Sequence, residues 1–482
     1  MAVAAPDFLA HPEPFIGSRR FFATLHRIEN GRRGGASAVW ASQRRNLANL
    51  LRVAKARSPY YAKVLQGFDP DRGDLRTIAP IDKPTLMHNF DEVTTDPALR
   101  YDACHAFVND HDKIGRLFDG RFVLAHTSGS TGKRGIFAFD RMGWEFPQAL
   151  GFTQPYNNPH MQRMALAPLA SLKVSAIIPI GGHYTSYLLP AITNTGLRNV
   201  FAKMEFVDIL DPFAKIIDRL NAQQPNIVHS YPSMLDALAF HQEQGRLRIK
   251  PIVMMGASEP FPETVKQRLR AAFPGVYLVE VYAATEVPTI AHTCTHGRMH
   301  LAADWVILEN VDGAGNPVPP GEWGEMVYAT CLYNYAQPLI RYELSDSIRY
   351  HDELCPCGCP LPTIEISGRS NDTLWVPDAE GNVITLLATP ILVAFMEVPG
   401  LRQYQLVQRA AHHIHINYVV DRPGGEKRVQ RDIENVFDAY LKRHGIGGGV
   451  TLSFSVLDEI PRDPRSHKVR QVVREVGESE ER

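Results

Sequence analysis

Nothing in the 482 residues approaches the run of about 18 consecutive apolar side chains that a membrane-spanning helix needs. Neither charge is in excess: 51 Lys and Arg stand against 52 Asp and Glu, so the broad basic field that draws nucleic acid or an anionic membrane is missing. The opening segment carries Asp7, Glu13, Pro6, Pro12 and Pro14 and has no basic lead into an apolar core, which excludes a signal peptide. Six cysteines are too few for a disulfide framework in so long a chain. A content of 44% hydrophobic and 21% charged residues excludes disorder. These absences leave a cytoplasmic, globular protein that acts on small molecules, with no nucleic-acid or membrane partner expected.

The length predicts two to four folding units. Leu47, Leu50, Leu51, Val53 and Ala54 give helical spacing within about Ala41 to Leu65, stopped near Ser58-Pro59. Phe122 to Ala125 and Ile136 to Phe139 read as strands flanking a Gly/Ser/Thr-rich loop. From Ile209 onward helices and strands alternate: a helix through Leu220, a strand at Ile227-Val228, a helix from Pro232 to Gln242, and a strand at Ile252 to Met255. A helix from Pro262 to Phe273 and a strand from Val276 to Tyr282 follow. That alternation predicts an α/β fold with parallel strands and helical crossovers. Past Gly368 the pattern changes to a smaller α+β unit, with strands at Gln403 to Gln408, His413 to Val420 and Val450 to Val456 and a helix over Glu426 to Arg443. The expected division is a large domain over 1–370 and a small, mobile domain over 371–482. His413 and His415 fall on one strand face, read as solvated.

In open α/β sheets ligands sit beyond the carboxyl ends of the strands. Three such ends are Ser230 to Ser233, Gly256 to Pro260, and Tyr282 to Glu286. The fourth candidate is the loop Thr127, Ser128, Gly129, Ser130, Thr131, Gly132, Lys133, whose small residues allow main-chain N–H groups to approach a phosphate. It is no Walker A loop, because the glycines are too close and Arg134 stands where a magnesium-binding hydroxyl would follow the lysine. By itself, such a stretch is equally well a plain hairpin turn.

The loop has companions in order: Tyr282 to Glu286, Pro338-Leu339-Ile340-Arg341-Tyr342 with Asp346, Gly368-Arg369-Ser370-Asn371-Asp372, and Lys468. Together these resemble the adenylate-forming superfamily of acyl-CoA synthetases, adenylation domains and luciferases. With Cys355-Pro356-Cys357-Gly358 and Pro319 to Glu325 they are most similar to its phenylacetate-CoA ligase branch. The resemblance implies an enzyme, an AMP-forming ligase using ATP and Mg2+. Thr127, Ser128, Gly129, Ser130, Thr131, Gly132 and Lys133 would hold the β- and γ-phosphates. Ala257, Ser258 and Glu259 would line the adenine, and Tyr282 would stack on it. Thr285 would touch the α-phosphate, Glu286 would hold the magnesium, Asp346 would bind the ribose and Arg369 would assist there. Asn371 would be the hinge, and Lys468 would reach the acid and the α-phosphate. His183, Tyr184, Tyr231 and Ser233 would border the acid. Seen singly, Lys468 is equally a surface lysine, Glu286 a helix cap and Asp346 a turn carboxylate.

Ala283, Glu343, Leu344, Ser345 and His467 depart from the family pattern without removing a charge from the site. A larger departure is Trp375 to Ile384, where the family carries a glycine-rich loop that helps build the pantetheine tunnel. The acceptor of the activated acid, aromatic by preference, is therefore CoA or a different nucleophile. An amine is one option; activation of nitrite for diazotisation of an aromatic amine is another. A catalytically silent, zinc-stabilised binding protein is the reading from another class, and the oligomeric state stays open, a dimer included.

Cys294, His300, Cys355 and Cys357 supply four ligands of the kind a closed tetrahedral zinc site uses, with His292, His296 and Cys359 as spares. Some relatives carry cysteines and a histidine at these places, which implies a structural Zn2+; reduced, buried thiols are the alternative.

Overall fold

The computed structural model describes residues 15, 18–127, 135–153, 172–188, 202–259, 261–344, 346–367, 373–377, 383–387, 391, 394–395, 398–443, 446, 449–461 and 471–475. Two helices, Arg19–Arg32 and Ala36–Arg57, open it. The expected break at Ser58 divides two helices: its N–H still bonds Ala54, while its hydroxyl accepts from Tyr61 N at 3.2 Å and starts the helix Pro59–Val64. Serine can do both because its side chain caps while its backbone leaves the helical region.

The strands are β1 (Val123–His126), β2 (Ile136–Phe139), β3 (Leu172–Ile178), β4 (Ala202–Asp208), β5 (Ile227–Ser230), β6 (Val253–Ala257) and β7 (Tyr277–Tyr282). After them come β8 (Ala291–Thr293), β9 (Met299–Leu301), β10 (Val306–Val311), β11 (Met326–Cys331), β12 (Tyr342–Leu344), β13 (Ser347–Tyr350) and β14 (Thr363–Ser367). The last six are β15 (Thr373–Pro377), β16 (Val383–Leu387), β17 (Leu401–Ala410), β18 (His413–Val420), β19 (Thr451–Val456) and β20 (Val472–Arg474).

The main sheet has the order β13-β14-β9-β8-β7-β6-β5-β3-β4. Strands β4, β3, β5, β6 and β7 are parallel, and β7 pairs antiparallel with β8. Helices Phe213–Gln223, Pro232–Glu243 and Glu263–Ala272 make the crossovers. Strand β6 is covered on both faces and is apolar along its length: Met254 enters one buried cluster with Leu235, Leu238 and Leu269, while its neighbour Val253 packs with Val279 on the other side. The chain reverses its walk along the sheet between β3 and β5, and the carboxyl ends of β5, β6 and β7 lie side by side near that switch point.

Beyond residue 372 a separate core forms. Leu374 and Val376 of the β15–β16 hairpin join Leu406, Ile414, Ile416 and the helix Glu426–Arg443, which presents Val429, Ile433 and Phe437 at helical spacing. The four-stranded sheet there runs β19-β18-β17-β20. Its other face corrects the reading of His413 and His415 as solvated: His415 is buried, and both rings meet the hydroxyl of Ser453 at 2.7 Å. Strand β19 lies parallel beside β18 and brings Ser453 opposite His415. Among the described residues no helix is long and apolar enough to cross a membrane.

Candidate active site

Two carboxylates stand beyond the end of β7. Tyr282, the last residue of that strand, donates its phenol hydrogen to Asp346 Oδ2 at 2.9 Å. Four residues on, Glu286 accepts from the phenol of Tyr342 at 3.3 Å. Burial raises both phenols above the ordinary tyrosine range, and the neighbouring carboxylates raise them further, so each tyrosine stays a neutral donor. The Glu286 carboxyl is also raised by burial, a rise opposed by a backbone hydrogen bond, Lys83 and Tyr342. Tyrosine hydroxyls thus fix the direction of both carboxylates.

The mouth of the loop between β1 and β2 is closed by two bonds, Thr127 N to Gly135 O at 2.9 Å and Gly135 N to Thr127 Oγ1 at 3.1 Å. Lys83 Nζ donates to the same hydroxyl at 3.0 Å. A Cβ at position 135 would meet Lys83 Cε at 2.9 Å, so glycine there lets the strand pass the lysine stem. Lys83 is held by its neighbours: Asp82 caps the short helix Lys83–His88, and Ile81 bonds Arg341 O at 3.1 Å and Glu343 N at 3.0 Å. Arg341 adopts a left-handed φ of 51° and its guanidinium reaches Glu309 Oε2 at 2.9 Å and Arg76 O at 3.0 Å. The segment 76–83 is thereby tied to the strand that carries Tyr342.

On the β5 and β6 side, Ser258 has φ of 69°, a strained conformation of the kind that concentrates at functional loops. Glu259 Oε2 accepts from Ser233 N at 3.1 Å and serves as the cap for the helix Pro232–Glu243, which has no side-chain cap from its own N-cap residue. Tyr231 is buried, with Ser186 on its hydroxyl and Glu259 and Tyr184 nearby; burial raises its phenol pKa. The ring of Tyr184 meets that of His126 at 4.8 Å, edge to face. Buried hydroxyls of Thr185 and Ser233 find no hydrogen-bond partner among the described residues. His183 packs elsewhere: its ring lies 5.4 Å from Phe107, its Nδ1 donates to Leu124 O at 3.3 Å, and burial depresses its pKa to about 4.

Cys294, His300, Cys355 and Cys357 bring their ligand atoms within 4.8 Å of one another. The sulfurs of Cys294 and Cys355 are 3.6 Å apart, too far for a disulfide and near the ~3.8 Å edge of a tetrahedron with zinc–sulfur bonds of about 2.3 Å. His300 gives its Nδ1 proton to Leu361 O at 3.1 Å, which leaves Nε2, 3.3 Å from Cys357 Sγ, as a lone-pair donor. N–H groups of His296 and Cys359 point at the sulfurs of Cys294 and Cys357, both at 3.4 Å. Burial pushes the Cys357 thiol up to about 12, which a bound cation would reverse. The set fits a tetrahedral metal; His292, His296 and Cys359 fall outside it.

A family model described as AMP-binding enzyme matches residues 161–333. Phenylacetate-coenzyme A ligase of Thermus thermophilus is 29% identical over 198 residues, a match that takes in 39% of this chain and 42% of that one, less than half its length. Protein CapK of Staphylococcus aureus is 19% identical over 367 residues, 74% of this chain and 75% of that one. Among solved structures, 2-hydroxyisobutyryl-CoA ligase in complex with 2-HIB-AMP and CoA superposes with a TM-score of 0.54 at 19% identity, covering 91% of this chain and 90% of that one. Over residues 161–333 the chain is similar to AMP-binding enzymes. Its large mixed sheet and small C-terminal sheet match the adenylate-forming ligase fold.

Of the residues expected to serve an adenylate-forming site, the structure gathers Thr127, Tyr282, Glu286 and Asp346 on one side and Ala257, Ser258, Glu259, Tyr231, Ser233 and Tyr184 along the neighbouring strand ends. Thr285 precedes Glu286 in the same loop. Ser128, Gly129, Ser130, Thr131, Gly132, Lys133, Arg369, Asn371 and Lys468 lie outside the described residues. Two residues escaped the motif reading: Tyr342 stood inside a quoted motif without a role, and Lys83 stood in none.

Proposed function

We propose that the chain uses ATP to adenylate a small acid, aromatic by preference, with release of pyrophosphate, and passes the acyl group to CoA. The observation that carries this is the pair of tyrosine-held carboxylates, Asp346 on Tyr282 and Glu286 on Tyr342, beside the closed mouth of the 127–135 loop. A carboxylate that attacks an anionic α-phosphorus needs charge neutralised on both partners and no general base, because it is already ionised. Magnesium bound at Glu286 would supply part of that charge. Lys468, carried by the small domain that begins near residue 371, supplies the rest to the acid and the α-phosphate, and Thr285 donates to that phosphate. Asp346 takes the ribose hydroxyls with Arg369 close by, Tyr282 stacks on adenine, and residues 128–133 wrap the outer phosphates. Tyr184, Tyr231 and Ser233 border the acid. The cluster at Cys294 holds a structural zinc that ties the β8–β9 turn to the loop before β14, and the reaction takes place in the cytoplasm.

Likeness to two CoA-using proteins, phenylacetate-coenzyme A ligase and 2-hydroxyisobutyryl-CoA ligase in complex with CoA, supports CoA as acceptor. A second reading keeps adenylation and changes the acceptor to an amine, or to an aromatic amine diazotised by activated nitrite. The β15–β16 hairpin favours it, since Leu374 and Val376 are spent in a buried core at the place where the resemblance implies a glycine-rich loop. Acid-dependent exchange of labelled pyrophosphate into ATP, over aromatic, aliphatic and inorganic acids, tests the adenylation step. Exchange with at least one acid is expected, and none with any acid would remove both readings. Product analysis with CoA, with aromatic amines and with neither then separates them.

A further inference from the structure

Arg341 stands one residue ahead of β12 with φ of 51°, the left-handed region that suits glycine and strains a long side chain. The ladder slips at this point. Tyr342 faces Ala329, so unbroken pairing would set Ile340 against Cys331, yet the Cys331 N–H bonds Leu339 O at 3.1 Å. Such a bulge re-aims the side chains beside it, and bulges gather next to active sites for that reason. Here the following side chain is Tyr342, whose phenol reaches Glu286 Oε1 at 3.3 Å. Glycine at 341 would remove the backbone strain; arginine brings a guanidinium, and that group is firmly held. Its Nε donates to Glu309 Oε2 at 2.9 Å, and its Nη1 donates to the carbonyl of Arg76 at 3.0 Å and to that of Ile78. Its central carbon lies 4.9 Å from the centre of the Tyr328 ring. The backbone is tied as well, the N–H to Thr330 Oγ1 at 2.9 Å and the carbonyl to the N–H of Ile81 at 3.1 Å. Anchors on β10, β11 and the segment 76–81 thus maintain a conformation that the residue by itself disfavours.

We propose that Arg341 is a positioning residue for adenylation, which holds the left-handed bulge and so keeps the Tyr342 phenol aimed at Glu286. The proposal rests on the adenylation reading, in which Glu286 serves the reacting phosphate, and adds to it a residue that acts only through another. Without its anchors, residue 341 relaxes toward extended φ, the pairing ahead of β12 shifts, and Glu286 loses the donor that fixes its direction. Lysine is a poor substitute, because one ammonium cannot serve Glu309 and two carbonyls from the positions of a planar fork.

The test is a double-mutant cycle on the full-length enzyme, with acid-dependent pyrophosphate exchange and Tm measured for wild type, Arg341→Lys, Tyr342→Phe and the double variant. The proposal predicts that each single variant lowers kcat about tenfold, the effect of one hydrogen bond to a charged group, and that the double variant stays within about twofold of the slower single one. Losses that multiply, to about a hundredfold in the double variant, would overturn it, as would kcat within about twofold of wild type in either single variant. A lower Tm in Arg341→Lys with unchanged kcat marks a merely structural arginine and counts against it. If Arg341→Lys does not fold, Glu309→Gln takes its place, with an expected loss of about threefold or more that disappears in the Tyr342→Phe background; a loss that persists there overturns the proposal. Wild type that exchanges pyrophosphate while the losses multiply removes this proposal alone. Wild type that exchanges with no acid removes the adenylation reading, and this proposal with it.

Discussion

The phenol of Tyr282 and the carboxylate of Asp346 meet at 2.9 Å across the gap between the end of β7 and the β12–β13 turn. Under the proposed function this contact couples the ring that would stack on adenine with the carboxylate that would hold the ribose, so a single hydrogen bond would align both halves of the nucleoside site. Tyr282→Phe keeps the ring and removes the phenol hydroxyl from the carboxylate. It is expected to raise KM for ATP by about tenfold, the equivalent of one hydrogen bond to a charged group, and to leave kcat nearly unchanged. Steady-state pyrophosphate exchange measures both; an unaltered KM would detach Asp346 from nucleotide binding.

Glu286→Gln preserves the acceptor for Tyr342 and removes the charge. A loss of at least about a hundredfold in kcat is expected if that carboxylate holds the metal, with a weaker dependence of rate on magnesium concentration. Tyr342→Phe, which only loosens the carboxylate, should cost less. Equal losses in the two variants would mean that the hydroxyl, and not the charge, matters.

Much of this arrangement could be read in the chain. The strands β5, β6 and β7 and their helices stood out because short apolar runs alternate with helical spacing, and the observed elements begin and end close to the expected positions. The Cys294, His300, Cys355 and Cys357 cluster was legible because four of the six cysteines fall in two short segments, one of which also carries His300. Lys83 was not. It lies about 200 residues before Glu286, in a stretch with no motif, and reaches the site only through the pairing of Ile81 with Tyr342. The burial of His415 was hidden for a similar reason, since Ser453 arrives on a strand that pairs in parallel from a distant part of the chain.

Elemental analysis of protein purified without added zinc is expected to find about one zinc per chain. Cys355→Ser or Cys357→Ser should abolish it and lower Tm by roughly 5 °C or more, because a metal at this cluster would cross-link the β8–β9 turn to the loop before β14. Metal-free protein of equal Tm would show that the thiols need no cation.

His183 is buried and its pKa lies at about 4, against 6.5 for a free histidine. The fold keeps it neutral, so the unfolded chain takes up the proton first as pH falls. Its contribution to stability is therefore whole above about pH 6.5 and is lost on the way down to about 4, ~2 kcal/mol of it between pH 7 and pH 5. Urea unfolding at the two pH values should show a smaller drop in His183→Asn than in wild type. The same drop in both would mean that His183 does not titrate with unfolding.

The central claim is the adenylate itself, and the direct measurement is mass spectrometry of products from a single turnover with ATP and an exchange-positive acid, without CoA or amine, in wild type and Lys468→Ala. The account predicts one pyrophosphate released for each acyl-AMP formed in wild type and neither in the variant. ADP and inorganic phosphate in place of pyrophosphate, or full acyl-AMP formation by Lys468→Ala, would contradict it.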